Sequence, residues 1–220
     1  MFREILRLLR KDNLQVQALS ECYEMVDMCH KMVMASVESL RNRDDASVDI
    51  DIYAMDKRLN SFERDVRRKV MTHLSLGHTE DLTSGLVLIS IVIDMERIGD
   101  YSKNIYDLAV NHPGRLHGGP LEDRVKAIEK TALDHLSRSV EDFKSGDTAE
   151  ARWLMQHYKE DISGQTSEIV KAIVTSAVEM PSGDSAALAL YVRYLKRISA
   201  HSRNLISSLV NPFDRIGYPE

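Results

Sequence analysis

Cysteine, tryptophan, proline and glycine are all scarce in this sequence of 220 residues, which has two Cys, one Trp, five Pro and ten Gly. The two cysteines, Cys22 and Cys29, stand seven positions apart in one apparent helix, so about 10 Å separates them along its axis. This separation is too long for a disulfide between them. Two unpaired cysteines fit a reducing compartment such as the cytoplasm, so the sequence is unlike a small secreted domain built on disulfides.

The sequence also lacks long apolar runs and an excess of basic residues. Its most apolar stretch, residues 86–93, is far shorter than the roughly 20 residues that cross a membrane, and no signal peptide is evident. Lys and Arg number 29 against 34 Asp and Glu, which gives a formal net charge of −5. This balance argues against a protein that binds duplex nucleic acid. We therefore expect a cytoplasmic protein without a nucleic-acid partner.

What is present is the composition of an ordinary globular protein. Hydrophobic residues make up 43% of the chain and charged residues 29%, and a chain of this length can bury a substantial core. The Gly/Pro-rich stretch near the midpoint contains Pro113-Gly114 and Gly118-Gly119-Pro120 and is typical of a linker. We predict a first domain over residues 1–112, a linker over 113–120 and a second domain over 121–220.

The first domain has the apolar spacing of bundle helices. Residues 14–41 contain neither Gly nor Pro, and residues 83–110 begin with an apolar run that continues at helical spacing. A helix between them carries apolar side chains three or four positions apart, at Ile52, Met55, Leu59, Phe62, Val66 and Val70. These patterns predict three helices before the linker.

The second half of the chain repeats this organisation. Residues 95–104 (MERIGDYSKN) resemble residues 195–204 (LKRISAHSRN) at an offset of 100, and residues 36–47 resemble residues 139–150 at an offset of 103. Because both matches keep the same order, they indicate the duplication of a unit of three helices. The expected helices of the second half cover residues 121–145, 148–179 and 185–210.

Residues 1–11 mix apolar side chains with four basic ones, at Arg3, Arg7, Arg10 and Lys11. This pattern is typical of an amphipathic helix that contacts a membrane surface or a partner. The commoner role of such a segment is a terminal helix packed on the body of its own domain. The sequence leaves both alternatives open.

Acidic residues in the first half form the candidate functional site. Glu96 and Asp100 are one helical turn apart, so their carboxylates are about 6 Å apart and close enough to share a cation. Asp56 and Asn60, on the preceding helix, are candidates to face them. Oxygen ligands of this kind suit Mg²⁺, Mn²⁺ or iron. The alternative is a solvated acidic face, which is the commoner role of carboxylates at this spacing.

The single tryptophan, the two cysteines and one histidine carry weaker signals than the acidic residues. Trp153, the single tryptophan, is expected to anchor the core of the second domain. Cys22 and Cys29 are expected to be packing residues. His201 replaces Tyr101 in the second copy of the motif, where it is either a polar bundle residue or a ligand or pH-sensitive group.

The motif Glu-Arg-Ile-Gly-Asp-Tyr-Ser-Lys-Asn-Ile, with its degenerate second copy in a duplicated helical chain, resembles the PhoU family of phosphate-uptake regulators. The resemblance covers roughly residues 17–211. It implies an all-α fold of two tandem antiparallel three-helix bundles, with acidic motifs that can hold multinuclear metal clusters, iron among them. It also implies a cytoplasmic adaptor, expected to be a homodimer, between a phosphate transporter and a sensor histidine kinase. Residues 1–14 resemble PhoU-like proteins associated with sodium–phosphate cotransporters, which is the alternative partner.

By this resemblance, the metal ligands would be Glu96, Asp100 and Asp56, with Asn60 at a position where the family more often has Asp. The second half has lost the pattern, since the four corresponding positions are Lys159, Ser163, Lys196 and Ala200. We therefore expect any metal to bind in the first half alone.

Three functional hypotheses follow from the sequence. The first is the phosphate-signalling adaptor, which would act by contact. The second is a carboxylate-metal enzyme, although neither a nucleophile–base pair nor a phosphate-binding Gly loop is evident. The third is a metal-free helical scaffold. We predict that the protein is not an enzyme and has no catalytic residue.

Overall fold

The structure is a computed structural model that describes residues 13–158 and 162–218. These residues form seven α-helices and no β-strand, which confirms the predicted all-α fold class. The predicted amphipathic segment, residues 1–11, lies outside the described residues. The helices are α1 (Leu14–Asn42), α2 (Ile52–Ser75), α3 (Leu82–Asn111), α4 (Glu122–Ser145), α5 (Thr148–Tyr158), α6 (Gly164–Val174) and α7 (Ser182–Ser207).

The helices α1, α2 and α3 pack against one another as the first bundle. Polar residues define where the first two begin, because their side chains accept hydrogen bonds from otherwise unpaired N–H groups. Asn13 accepts from the backbone N–H of Gln15 at 2.8 Å, and Asp51 accepts from that of Ala54 at 2.9 Å. The predicted apolar face of α2 is confirmed for four of its six residues, which are buried: Ile52, Leu59, Val66 and Val70.

The second half packs in the same order, but its middle helix is shorter than the prediction of residues 148–179. The described part of this region contains α5 and α6, and α6 ends at Val174. Ser176 follows with a φ of 54°, in the left-handed region that stops an α-helix. Both α5 and α6 pack against α7, as does α4.

The expected role of Trp153 as a core residue is wrong. Its side chain is 43% exposed, whereas Ala151 and Leu154 form the buried face of α5. The Trp153 ring lies instead between the guanidinium of Arg138, 4.3 Å from its centroid, and the ring of His157, 4.2 Å away. Apolar character alone did not show which side of this short helix faces the core.

The two halves meet along one continuous core. Helix α3 packs on α7 and α1 packs on α4, so buried residues of both halves belong to a single cluster. The linker is anchored as well, because the backbone N–H of Leu116 donates to the carbonyl of Leu40 at 2.8 Å. No helix within the described residues is long and apolar enough to cross a membrane.

Candidate functional site

A glycine in the motif allows α2 and α3 to approach each other at the candidate site. A Cβ atom at Gly99 would lie 2.3 Å from Cδ1 of Leu59, a contact that side chains do not make. Leu59 is itself 1% exposed and is held in the core of the bundle. The glycine of the motif is therefore a packing residue that sets the spacing between the two helices carrying the acids.

Asp56 and Asp100 face each other across this contact, and Lys103 joins them. The Lys103 Nζ atom lies 2.9 Å from Asp56 Oδ1 and 3.2 Å from Asp100 Oδ1. Arg97 donates to the second oxygen of Asp100 at 2.9 Å, and its Nε lies 3.4 Å from Glu96 Oε2. The sequence identified the acids that meet here but not the two cations that pair with them.

Asn60 belongs to the same part of α2 but bonds along its own helix. Its side-chain amide donates to the backbone carbonyl of Asp56 at 2.9 Å. Its neighbour on the same face, Glu63, pairs with Arg67 at 2.8 Å. Of the four predicted site residues, Asp56 and Asp100 are therefore linked across the two helices through a shared partner, whereas Asn60 bonds to Asp56 on its own helix.

The charges of the site shift two pKa values. Burial raises the pKa of Glu96, and the negative charges of Asp100 and Glu63 raise it further against the effect of Arg97. Burial lowers the pKa of Lys103, but its hydrogen bonds to Asp56 and Asp100 outweigh burial, and the net pKa is raised. The ammonium of Lys103 is therefore charged at neutral pH.

The arrangement does not fit a resident metal ion. Within residues 13–158 and 162–218, no group of three or more His, Cys, Asp and Glu side chains could hold one. The place between Asp56 and Asp100 that a shared cation would take is filled by the ammonium of Lys103. Metal binding by Glu96, Asp100, Asp56 and Asn60 stays a prediction, and a metal ion there would have to displace this ammonium.

In the second half, the position that corresponds to Glu96 carries an ammonium, that of Lys196. Lys196 Nζ lies 3.4 Å from the backbone carbonyl oxygen of Ser163 and 3.3 Å from Ser167 Oγ. Burial lowers the pKa of Lys196, and the positive charges of Arg193 and Arg197 lower it further. Lys159 lies outside the described residues.

A second polar cluster, which the sequence did not reveal, lies between α3 and α7. His201 Nδ1 lies 2.7 Å from Asp94 Oδ1, and the Asn204 side-chain amide donates to the same oxygen at 2.9 Å. Arg197 donates to His201 Nε2 at 3.1 Å. Because Arg only donates, this nitrogen accepts, so Nδ1 carries the proton and donates to Asp94. The interpretation of His201 as a polar bundle residue fits this position between the two halves.

An apolar cleft of about 500 Å³ lies at the end of the molecule where α1 begins. It is lined by residues of α1, α3 and α4 and by Leu209 beyond α7. Apolar residues in its lining include Val16, Leu19, Val87, Leu88, Phe143 and Leu209. The cleft is separate from the acidic site.

Residues 22–109, which contain all four predicted site residues, match the family model described as "PhoU domain". The resemblance to the PhoU family is confirmed. A relative from Pseudomonas putida, described as "Phosphate-specific transport system accessory protein PhoU homolog", is 26% identical over 202 residues, which cover 87% of this chain and 75% of the relative. A relative from Clostridium acetobutylicum with the same description is 24% identical over 124 residues, which cover 52% of this chain and 56% of the relative.

Two solved structures share the fold. The crystal structure of PhoU from Pseudomonas aeruginosa has a TM-score of 0.78 and 21% identity, covering 90% of this chain and 96% of the other. The phosphate transport system regulatory protein PhoU from Streptococcus pneumoniae has a TM-score of 0.70 and 18% identity, covering 92% and 94%. These similarities extend over both halves of the chain, so the fold is that of PhoU throughout.

Proposed function

We propose that this protein regulates phosphate uptake as a cytoplasmic adaptor that connects a phosphate transporter to its sensor histidine kinase. The observation that carries the proposal is the PhoU match over residues 22–109, together with relatives described as accessory proteins of phosphate-specific transport. The proposed adaptor acts as a homodimer. Its partners are proteins, and no nucleic acid is among them.

The pairing of the acidic site supports a role by contact instead of by turnover. A carboxylate can act as a general base only if it can reach the proton of a substrate. Asp56 and Asp100 are instead paired with Lys103, and Asp100 also with Arg97. Each of these carboxylates is already neutralised by a neighbouring cation, which suits a structural role.

The first test of the adaptor proposal is capture of its partners. Tagged protein is recovered after crosslinking from cells grown with and without phosphate, and the captured membrane proteins and kinases are identified. We expect a phosphate transporter and a sensor kinase, captured in amounts that depend on phosphate. Capture of a sodium–phosphate cotransporter would favour the alternative partner. Recovery of neither transporter class, together with unchanged phosphate uptake in a deletion strain, would contradict the proposal.

The second test concerns turnover. The purified protein is assayed for phosphatase activity with Mg²⁺, Mn²⁺ and Fe²⁺, next to a Glu96→Gln variant. We expect no activity above background in either protein. Metal-dependent hydrolysis that the substitution abolishes would contradict the proposal and favour the carboxylate-metal enzyme.

A further inference from the structure

We propose that Lys103 is the permanent cation of the acidic site in the first half, so that the site is complete without a metal ion. Its ammonium contacts one carboxylate on α2 and one on α3. A bridging metal ion would make the same connection, because it would draw an oxygen from each helix. The lysine therefore supplies the positive charge that these two carboxylates need in order to lie close together.

The local charge balance favours the lysine over a metal ion. The carboxylates of Asp56, Glu63, Glu96 and Asp100 face the cationic groups of Arg67, Arg97 and Lys103. A divalent ion between Asp56 and Asp100 would have to displace the ammonium of Lys103, and it would then be repelled by that charge and by Arg97. Without that displacement, the site offers it little uncompensated negative charge.

The partial burial of the Lys103–Asp56 pair and the covalent attachment of Lys103 to the chain also favour the lysine over a metal ion. The Lys103 side chain is 26% exposed and that of Asp56 is 13% exposed, so the pair is less screened by water than an ordinary surface pair. A cation attached to the chain is present at a high effective concentration, whatever the supply of metal. A metal ion would also have to give up part of its hydration shell to bind here.

In the second half a lysine also connects two helices, although through neutral oxygen atoms. Lys196 extends from α7 to the backbone carbonyl of Ser163 and to the hydroxyl of Ser167 on α6. The lysine stands at a different position of the repeated motif from Lys103. An ammonium nevertheless connects the third helix of each half to the second.

The test compares Mn²⁺ binding to four proteins: wild type, Lys103→Met, Lys103→Arg and Lys144→Met. Lys103→Met removes the ammonium and keeps an unbranched side chain. Lys103→Arg retains the positive charge. Lys144→Met is the matched control, because Lys144 also bridges two helices, through Asp27 at 2.8 Å. Binding is measured as the loss of the electron paramagnetic resonance signal of free Mn²⁺, and circular dichroism confirms that each variant is folded.

We expect Lys103→Met to bind Mn²⁺ roughly tenfold or more tightly than wild type, because a cation has left the site. Lys103→Arg and Lys144→Met should resemble wild type. Adding Asp56→Asn to Lys103→Met should abolish the gain. The wild-type protein and a Glu96→Gln/Asp100→Asn double variant are both purified without chelators. Neither should contain stoichiometric metal.

Two results would overturn the proposal. The first is a wild-type protein that carries iron or manganese, or binds Mn²⁺, in a way that Asp56→Asn abolishes. The second is a folded Lys103→Met variant that binds Mn²⁺ no better than wild type. Neither result bears on whether the protein acts as an adaptor, which the capture experiment tests separately.

Discussion

At the scale of the residue, the buried carboxylate of Asp142 shows how one side chain makes stability depend on pH. It lies near the end of α4, and its Oδ2 atom has no hydrogen-bond partner within the described residues. Burial raises the pKa of Asp142 to about 6, and the charge of Asp147 adds to this effect, although Arg138 opposes it. The folded protein therefore favours the protonated carboxyl more than the unfolded chain does.

We predict that Asp142→Asn stabilises the protein at pH 7 to 8 and has no such effect at pH 4. Since the pKa of Asp142 is raised from its ordinary value of 3.8 to about 6 in the folded protein, the folded state loses stability as the pH rises through this range. The expected gain is about 1 kcal/mol, the lower part of the range for an unsatisfied buried group. Urea unfolding at both pH values measures it.

Asp134→Asn is the matched control for this prediction, because Asp134 is also influenced by the charge of Arg138, with which it pairs at 3.5 Å, but its side chain is exposed. It should change stability little at either pH. If both variants shifted stability alike across the pH range, burial of Asp142 would not be the cause.

At the scale of the element, the contact between α2 and α3 depends on the absence of a side chain at position 99. The close approach of Leu59 leaves no room for a methyl group. The same two helices carry Asp56 and Asp100. Apolar packing and the ionic contact of the site are thus coupled through one helix pair, and a change in the helix spacing alters both.

We predict that Gly99→Ala destabilises the protein, although alanine favours a helix over glycine by about 1 kcal/mol. Overpacking against Leu59 costs about 1–3 kcal/mol, so the net change should be a loss. Gly183→Ala is the control, because Gly183 lies in α7 with nothing within 4 Å of an added Cβ. That variant should be neutral or slightly more stable in denaturant unfolding. A stabilised Gly99→Ala would show that α3 can shift without loss.

At the scale of the whole molecule, one buried arginine connects both halves to the linker. Arg41 on α1 contacts Glu129 at 2.9 Å and Glu122 at 2.8 Å, both on α4, and donates to the carbonyl of Leu116. Tyr191 on α7 donates to Glu129 at 2.6 Å. Because the Arg41 side chain is 5% exposed, these contacts replace its hydration within the interface.

We predict that Arg41→Met destabilises the protein by about 3–5 kcal/mol, because the two glutamates would remain partly buried without their partner. Arg124→Met is the control, since the Arg124–Glu168 pair at 2.8 Å is exposed and should contribute about 1 kcal/mol or less. Urea unfolding gives the free energies. Hydrogen exchange should show the largest loss of protection in residues 112–121 and at the facing ends of α1 and α4. Equal losses in the two variants would exclude this connecting role.

The sequence by itself determined the elements and the motif of this protein. Helical periodicity is a local property, so the positions of α1, α2, α3, α4 and α7 followed from the spacing of apolar residues and from turn residues. The duplicated motif pointed to the PhoU family for the same reason, because identities at fixed offsets need no knowledge of contacts. It also grouped Asp56, Asn60, Glu96 and Asp100 as one candidate site, of which the structure links Asp56 and Asp100 through Lys103.

The tertiary structure alone decided what these residues contact. The sequence assigned no role to Lys103, and only the crossing of α2 and α3 placed its ammonium between two carboxylates. His201 and Asp94 are 107 positions apart, and the packing of α3 on α7 made them partners. Trp153 faces outward because α5 turns two smaller residues to the core. Each of these environments depends on which helices meet, and a pattern along one chain segment carries no information about the angle at which helices cross.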